Sequence, residues 1–209
     1  MRIWLIPFNN KMKYISSDEE LIAKKLPHNR GKIYRFSRGY LRFCLSKVFN
    51  ISPKDVPLYS PPGKPPIIPN DYGIVSMSHC RDALLIGLGS QRIGVDIENI
   101  NRSINIDLFM KSKILSKKEK NQIQKFNKDS QRKEFIKIWV LKEALIKFSL
   151  GSIINDFNKW EILDKNKTAK NLLLDLHTNI NHINIKDWSI GLAYEEEIID
   201  SYKLVEFLY

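Results

Sequence analysis

Two carboxylates stand two residues apart in the apolar segment Arg92-Ile-Gly-Val-Asp-Ile-Glu. In an extended strand, Asp96 and Glu98 point to the same face as Gly94 and lie roughly 6.5–7 Å apart at the backbone. Such a pair can converge on one Mg²⁺, whose oxygen ligands lie at about 2.1 Å. Gly94 leaves room for a ligand to approach. The pattern is typical of a metal site, but also of an ordinary solvated strand face.

A third acid, Glu143, lies in the segment Trp139-Val-Leu-Lys-Glu-Ala-Leu-Ile-Lys. A helical core stripe is predicted at positions 138, 141, 145 and 148. Glu143 and Lys147 share a different face, where an exposed pair would stabilise the helix by only about 0.2–0.5 kcal/mol. This helix is apolar nearly all round, however, and a buried charge needs a partner or a function. The pattern alone leaves both interpretations open.

Two short motifs carry groups that could bind phosphate. Ser78 and His79 end a predicted strand, where a hydroxyl and an imidazole could hold an anion, although a capped turn explains them more simply. Lys64 lies between Gly63 and Pro65 in a proline-rich loop, which would present one lysine rigidly. Neither motif indicates a function without the others.

The first half of the chain is predicted to run from helix to sheet. Aromatic residues at helical spacing favour helix over residues 18–50, and the prolines of residues 52–69 indicate an irregular connection. Strands are predicted at residues 73–79, 83–89 and 92–98. The last two are separated by Gly89, Ser90 and Gln91, a spacing that predicts a hairpin.

The second half repeats this order. Helix is predicted within residues 105–150, with a long final run from about 131 to 150 and Gly151 placed to end it. Strands are predicted at residues 160–163, 172–177, 188–194 and 202–208. Residues 189–194 loosely resemble residues 85–89, so we expect an internal duplication joined near residues 99–105. Strands that follow helices without strict alternation favour an α+β fold.

The composition favours a folded, basic protein. A hydrophobic fraction of 43% with 11% aromatic residues argues against disorder. We expect a cytoplasmic protein, because no segment predicts a secretory signal or membrane span and two cysteines form no disulfide framework. The net charge of +11 suits binding to nucleic acid, to a polyanionic substrate or to an acidic protein. A genome whose base composition enriches lysine codons explains the charge equally well. The sequence contains neither a recognisable helix-turn-helix nor a basic strand rich in aromatic residues, so its motifs do not favour nucleic-acid binding.

In order, the motifs beginning at Gly63, Ser76, Gly94 and Trp139 resemble those of the 4′-phosphopantetheinyl transferases. The similarity is to the larger single-chain class that serves nonribosomal peptide and polyketide synthases, and its spacing agrees from about residue 50 to 150. It implies two similar halves, residues 1–100 and 101–209, related by pseudo-two-fold symmetry. Each half would be a small, mostly antiparallel sheet packed with helices, with the active site in the cleft between them.

The resemblance also implies roles for the motif residues. The metal ligands would be Asp96, Glu98 and Glu143, and the catalytic residues would be Glu143, Asp96 and Lys147. Glu143 would also accept the proton of the attacking serine. Contacts to coenzyme A would come from Arg30, Arg38, Lys64, Ser78, His79, Asp96 and Lys147. Cys80 departs from the small polar residue that many relatives have after the histidine, which puts little in doubt.

The implied activity is a Mg²⁺-dependent transfer of 4′-phosphopantetheine from coenzyme A to a serine of an apo acyl or peptidyl carrier protein, releasing 3′,5′-ADP. The implied partners are coenzyme A and the carrier protein, and neither nucleic acid nor a membrane is expected as a partner. The implied enzyme is a monomer. The carriers such enzymes serve are typically acidic, so the cation-rich residues 111–128, including Lys113, Lys117 and Lys118, are the expected contact surface. The alternatives are a basic metal-dependent phosphoesterase using the same acids and a nucleic-acid-binding protein.

Overall fold

Helix pairs and strands alternate in a computed structural model that describes residues 1–111, 114–152, 156–163, 167–195 and 205–208. The helices are α1 (Ser17–Lys25), α2 (His28–Phe49), α3 (Ile106–Lys111), α4 (Lys117–Gln124) and α5 (Lys128–Phe148). The strands are β1 (Arg2–Pro7), β2 (Ile74–His79), β3 (Ala83–Gly89), β4 (Ile93–Asn99), β5 (Trp160–Leu163), β6 (Thr168–Asn171), β7 (His177–Ile185), β8 (Trp188–Tyr194) and β9 (Val205–Phe207). Across these ranges, every helix is too short or too polar to cross a bilayer.

The strands of the described residues form two sheets. One has the order β2-β3-β1-β9, and the other has the order β4-β8-β7-β6-β5. Strand β9 runs parallel to β1, and the other pairings are antiparallel. The predicted α+β class, with mostly antiparallel sheets packed with helices, is therefore confirmed.

Alternate side chains of β1 pack in two different hydrophobic cores, because successive residues of a strand point to opposite faces. Ile3 and Leu5 pack with Val95 in a core between the two sheets. Trp4 and Ile6 pack against α2 on the outer face of the first sheet. Helix α5 covers the outer face of the second sheet in the same way. The order of layers is thus helix, sheet, sheet and helix.

The predicted hairpin of residues 83–89 and 92–98 is wrong, although both strands exist. Strand β3 pairs with β1 on one edge and β2 on the other, so it has no free edge for β4. Strand β4 instead pairs with β8, and residues 90–92 carry the chain from one sheet to the other. Local turn signals did not reveal this, because the competing strand β1 lies about eighty residues earlier in the chain.

The predicted strand at residues 172–177 is also wrong. Strand β6 ends at Asn171, whose side-chain Oδ1 accepts the backbone N–H groups of Leu173 and Leu174. The amide thereby builds a tight turn, which leaves three consecutive leucines exposed. Their apolar character resembles that of a strand, but the turn is fixed by the asparagine.

Three smaller departures from the predicted elements concern the first strand, the end of helix α5 and the last strand. The sequence patterns predict no strand at residues 2–7, where the structure has β1. Helix α5 ends at Phe148, and Leu150 rather than Gly151 takes the left-handed backbone conformation with φ of 53°. Of the strand predicted at residues 202–208, β9 accounts for Val205–Phe207, and residues 202–204 lie outside the described ranges.

Helix pairs α1–α2 and α4–α5 share a pattern that repeats after 100 residues. Each pair begins with a capping box, formed by Ser16 and Glu19 in the first and by Ser116 and Glu119 in the second. In both boxes the serine hydroxyl accepts the glutamate N–H, and the glutamate carboxylate accepts the serine N–H. The repeat is compatible with an internal duplication.

A buried ion pair extends the repeat from each box to the following long helix. Glu19 Oε2 lies 2.8 Å from Arg42 Nε, and Glu119 Oε2 lies 2.7 Å from Lys142 Nζ. The echo between residues 85–89 and 189–194 does not extend it, because Gly87 faces the second sheet whereas Gly191 faces α5. The helix pairs, and not the glycine motif, carry the internal similarity.

Candidate active site

Gly94 sets how closely β4 approaches α5. A Cβ added at Gly94 would lie 1.9 Å from the carbonyl oxygen of Ala144, and one added at Gly191 on β8 would lie 2.3 Å from that of Val140. Only glycine fits at these two positions without moving the helix. This contact brings Asp96, two residues after Gly94, against the α5 face that carries Glu143 and Lys147.

Asp96 is the centre of the site. Its side chain is 3% exposed, and Oδ1 accepts hydrogen bonds from Lys147 Nζ and from Ser78 Oγ, each at 2.6 Å. Lys147 Nζ also lies 3.9 Å from Glu143 Oε2. The structure therefore brings together the strand acid and the helix acid that the sequence singled out, with one ammonium group between them.

Glu143 is held in an environment that disfavours its charge. Burial, and next the charge of Asp96, raise the pKa of its carboxyl group to about 8, and the charge of Lys147 only partly opposes this rise. The charge of Lys147 is thus too little to keep Glu143 fully ionised beside Asp96 at neutral pH. A divalent cation bound by both carboxylates would favour the ionised form of Glu143, so Asp96 and Glu143 fit a divalent metal chemically.

Glu98 lies on the same strand, but its carboxylate is bonded to other partners. Its Oε1 accepts the N–H of Asn99 at 2.9 Å, and its Oε2 pairs with Arg102. Within the described ranges, no group of three or more His, Cys, Asp and Glu side chains stands ready to hold a metal ion. Glu98 would have to leave Arg102 to join Asp96 and Glu143 around one ion.

A cleft of about 910 Å³ opens beside these acids. It lies between α2, the proline-rich loop, β2 and the C-terminal end of α5, and its volume suits a ligand of cofactor size. Its lining includes six of the seven residues expected to contact coenzyme A, namely Arg30, Arg38, Lys64, Ser78, His79 and Lys147. Asp96 lies behind Ser78 and Lys147. Residues far apart in the sequence are thus gathered at one basic surface.

Arg38 is a buried cation without an acidic partner among the described residues. Its side chain is 7% exposed, and its guanidinium stacks over the Tyr34 ring at 4.7 Å. Its Nη1 donates to Ser37 Oγ at 3.3 Å, but its Nε has no hydrogen-bond partner. Burial lowers the pKa of the guanidinium. A buried, incompletely bonded cation that faces a cleft is suited to receive an anion.

His79 and the cleft rim add further donors. Desolvation by surrounding protein, and then the Lys147 charge, lower the pKa of the His79 imidazole although part of its ring is exposed. Its neutral form can still donate one hydrogen bond to an anion. Arg30 and Lys64 are exposed at the mouth of the cleft, where long cationic side chains can reach a bound phosphate.

Sequence reasoning missed Lys142, the neighbour of Glu143. Its side chain is 0% exposed, and its Nζ lies 2.7 Å from Glu119 Oε2 and donates to the Ile114 carbonyl at 3.2 Å. This pair fastens α4 to the helix that carries the catalytic candidates. Its signal in the sequence was the capping box of Ser116 and Glu119, together with the matching pair one hundred residues earlier.

Comparison with known proteins identifies one family. A sequence model of the 4′-phosphopantetheinyl transferase superfamily matches residues 92–201, which cover β4, α5 and β8. No curated protein matches the chain. The matched region contains the three acids and Lys147, whereas Arg30, Arg38, Lys64 and His79 precede it in the sequence.

Proposed function

Because the chain belongs to the 4′-phosphopantetheinyl transferase superfamily, we propose that it transfers the 4′-phosphopantetheine arm of coenzyme A to a serine of an apo carrier protein. The observation that carries this proposal is the basic cleft whose lining residue Lys147 contacts both Asp96 and Glu143. Coenzyme A has a pyrophosphate and a 3′-phosphate, so its binding needs several cations. Its cleavage needs groups that stabilise the charge developing around one phosphorus.

In the proposed reaction, the serine oxygen attacks the β-phosphorus and forms the new P–O bond. The bond from that phosphorus to the bridging oxygen of 3′,5′-ADP breaks, and 3′,5′-ADP leaves with the bond's electron pair. Glu143 accepts the hydroxyl proton in its ionised form.

The metal would be held by Asp96, Glu143 and, after release from Arg102, Glu98. When bound, Mg²⁺ would neutralise charge that develops on the pyrophosphate. The hard oxygen donors of these acids suit Mg²⁺, and its binding would remove the electrostatic conflict between Asp96 and Glu143.

We assign the cleft cations to the phosphates of coenzyme A by the contacts that they make. Lys147 contacts Asp96 directly, so we assign it to the pyrophosphate. Arg38 lies within electrostatic reach of His79. We assign this pair to the 3′-phosphate, with Arg30 and Lys64 covering the remaining charge at the cleft mouth. The Ser78 hydroxyl also faces the cleft but is bonded to Asp96.

Two halves, residues 1–100 and 101–209, related by pseudo-two-fold symmetry, are part of the proposal. The repeated capping boxes and ion pairs support it. Both sides of the cleft come from one chain, which supports a monomer of the larger single-chain class. Cys44 and Cys80 are free thiols and both are buried, as suits a reducing compartment such as the cytoplasm.

The test is a mass measurement on an apo carrier protein after incubation with this protein, coenzyme A and Mg²⁺. We expect the carrier to gain one phosphopantetheine group and 3′,5′-ADP to appear in equal amount. A carrier with alanine in place of the accepting serine is the control and should stay unmodified. Cleavage of coenzyme A without modification of the carrier would instead identify a phosphoesterase.

A further inference from the structure

The proline-rich loop that carries Lys64 has few internal hydrogen bonds to hold it in place. Four of the seven residues 60–66 are prolines, which have no backbone N–H group to donate. At the base of the loop, Tyr59 and Ile67 exchange two backbone hydrogen bonds of 2.9 and 2.7 Å. Beyond this bridge, the Lys64 N–H donates to the Pro61 carbonyl over a long distance of 3.4 Å. The position of Lys64 therefore depends on contacts between the loop and the rest of the protein.

Tyr34 of helix α2 makes such a contact. Its hydroxyl donates to the Ser60 carbonyl at 2.7 Å, and both residues are buried. Burial raises the pKa of the Tyr34 phenol, so the group stays protonated and remains a donor at neutral pH. Within the described ranges, Tyr34 is the only side chain that hydrogen-bonds to residues 60–66. This one bond therefore ties the loop to helix α2.

The ring of Tyr34 has a separate neighbour in the cleft. The Arg38 guanidinium, one helical turn further along α2, stacks over this ring at 4.7 Å. Such stacking is an attraction between the cation and the aromatic face, and it does not involve the hydroxyl group. A change of Tyr34 to phenylalanine therefore removes the bond to Ser60 and keeps the ring under Arg38.

Tyr40 provides a comparison further along the same helix. Its hydroxyl also donates to a loop carbonyl, that of Lys11 at 3.1 Å, and the Lys13 ammonium lies over its ring at 5.5 Å. Both tyrosines are buried. Tyr34 lines the cleft, whereas Tyr40, Lys11 and Lys13 lie outside its lining. The two phenols thus make the same kind of bond, but only that of Tyr34 leads to a loop of the cleft.

We propose that Tyr34 is a positioning residue for coenzyme A binding, whose hydroxyl anchors the loop that presents Lys64 to the cleft. This inference rests on the proposed function for the identity of the ligand. An anchored loop holds the Lys64 ammonium at the cleft mouth before the ligand arrives, so binding does not have to order the loop. Loss of the anchor would lower the fraction of molecules that are ready to bind, and the apparent affinity would fall by that fraction.

The experiment titrates coenzyme A into the free protein by isothermal calorimetry, without a carrier protein. In Tyr34→Phe we expect the dissociation constant for coenzyme A to rise about fivefold, because the bond to Ser60 is lost. The matched control Tyr40→Phe loses the corresponding bond to Lys11 and should leave the dissociation constant within about twofold. Equal dissociation constants in the two variants would overturn the proposal.

Two further measurements separate anchoring of the loop from direct contact between Tyr34 and the ligand. In a Lys64→Met background, Tyr34→Phe should change the dissociation constant by less than about twofold, because the hydroxyl acts through Lys64. The backbone amides of Tyr59 and Ile67 should exchange hydrogen faster in Tyr34→Phe than in the parent protein, as followed by NMR. A full fivefold effect in the Lys64→Met background, or unchanged exchange of both amides, would contradict the anchoring role.

Steady-state kinetics and binding together distinguish this inference from the proposed function. Tyr34→Phe should raise KM for coenzyme A about fivefold and leave kcat within about twofold, since the acids are untouched. If coenzyme A binds but no carrier protein is modified, the proposed reaction fails and the titrations still decide the role of Tyr34. If the parent protein does not bind coenzyme A, the proposed ligand and the role of Tyr34 in its binding are both wrong.

Discussion

Lys147 Nζ lies 2.6 Å from Asp96 Oδ1, where the end of α5 meets strand β4. The lysine is the nearest positive charge for Asp96 and lies 3.9 Å from Glu143. It also lines the cleft, so it connects the acid pair with any bound anion. In the proposed reaction, a divalent ion would replace Lys147 as the partner of the two carboxylates. A phosphate group would then bind the lysine.

Replacing Asp96 with asparagine should abolish turnover while the protein stays folded. The change keeps the side-chain size, removes one of the two carboxylates that fit a metal and frees Glu143 from its main charged neighbour. We expect the rate of carrier modification to fall by about 10³-fold or more. Asp71→Asn, which alters an exposed acid, is the control and should leave the rate unchanged. A near-normal rate of Asp96→Asn at saturating Mg²⁺ would contradict the assignment.

Replacing Arg38 with methionine should weaken coenzyme A binding without lowering stability. The arginine is buried and has no acidic partner within the described ranges, so its removal breaks no ion pair. A lost charged hydrogen bond of about 1.5–3 kcal/mol corresponds to a KM for coenzyme A that rises about 10–100-fold. The effect should shrink with 3′-dephospho-coenzyme A as the substrate.

Arg35→Met is the matched control for that prediction. Arg35 lies on the same helix, but its guanidinium pairs with Glu20 at 2.7 Å and is absent from the cleft lining. Its replacement should leave KM for coenzyme A unchanged. An equal effect of Arg38→Met on both forms of coenzyme A would show that Arg38 does not bind the 3′-phosphate.

Stability should fall between pH 6.5 and 4 because of His182. Its Nε2 is 2.8 Å from Ser189 Oγ, and burial, followed by the Lys137 charge, lowers the pKa of the imidazole to about 4. In the unfolded chain that pKa is about 6.5, so over this interval the unfolded state binds a proton that the folded state does not. The stabilisation is complete above about pH 6.5 and is lost as pH falls, by at most about 3 kcal/mol.

Urea unfolding at pH 7 and pH 4.5 measures this dependence. The variant His182→Gln keeps a hydrogen-bonding side chain opposite Ser189 and does not titrate, so it should lose less stability than the parent protein on acidification. His177→Gln alters an exposed histidine on the same strand and should behave like the parent protein. If the free energy of unfolding depends on pH in the same way in His182→Gln and in the parent protein, the imidazole is not the source of the loss of stability at low pH.

The sequence could predict the catalytic candidates because local periodicity fixes which side chains share a face. Asp96 and Gly94 share one face of a strand, and Glu143 and Lys147 lie one helical turn apart on a helix, so their meeting required only that β4 pack on α5. Orientation within the site was not predictable. Glu98 turns to Arg102, and the reason is a nearby cation rather than the strand pattern.

Pairing between distant strands was the other feature that local patterns missed. Both edges of β3 are occupied by β1 and β2, and the partner of β4 is β8. Turn residues report only on neighbours in sequence, so they cannot show which edges are already taken. The buried Glu119–Lys142 pair was hidden for the same reason, since its partners lie on separate helices.

The last prediction concerns the basic surface of α4. Lys117 and Lys118 are exposed there, and Lys118 pairs with Glu161 at 3.2 Å, while Lys113 lies outside the described residues. The buried Glu119–Lys142 pair fastens this helix to α5, the helix that carries Glu143. An acidic carrier protein would meet this surface through long-range attraction.

Reversing both charges, as Lys117→Glu with Lys118→Glu, should raise KM for the carrier about tenfold at 0.1 M salt and leave KM for coenzyme A unchanged. The matched control is Lys24→Glu with Lys25→Glu, which makes the same charge change on exposed residues of α1. The difference between the two variants should shrink toward 1 M salt, because the Debye length falls from about 10 Å to about 3 Å. A carrier KM that is equal in both variants and flat across the salt series would show that docking is apolar, and that the lysines of α4 do not contribute to it.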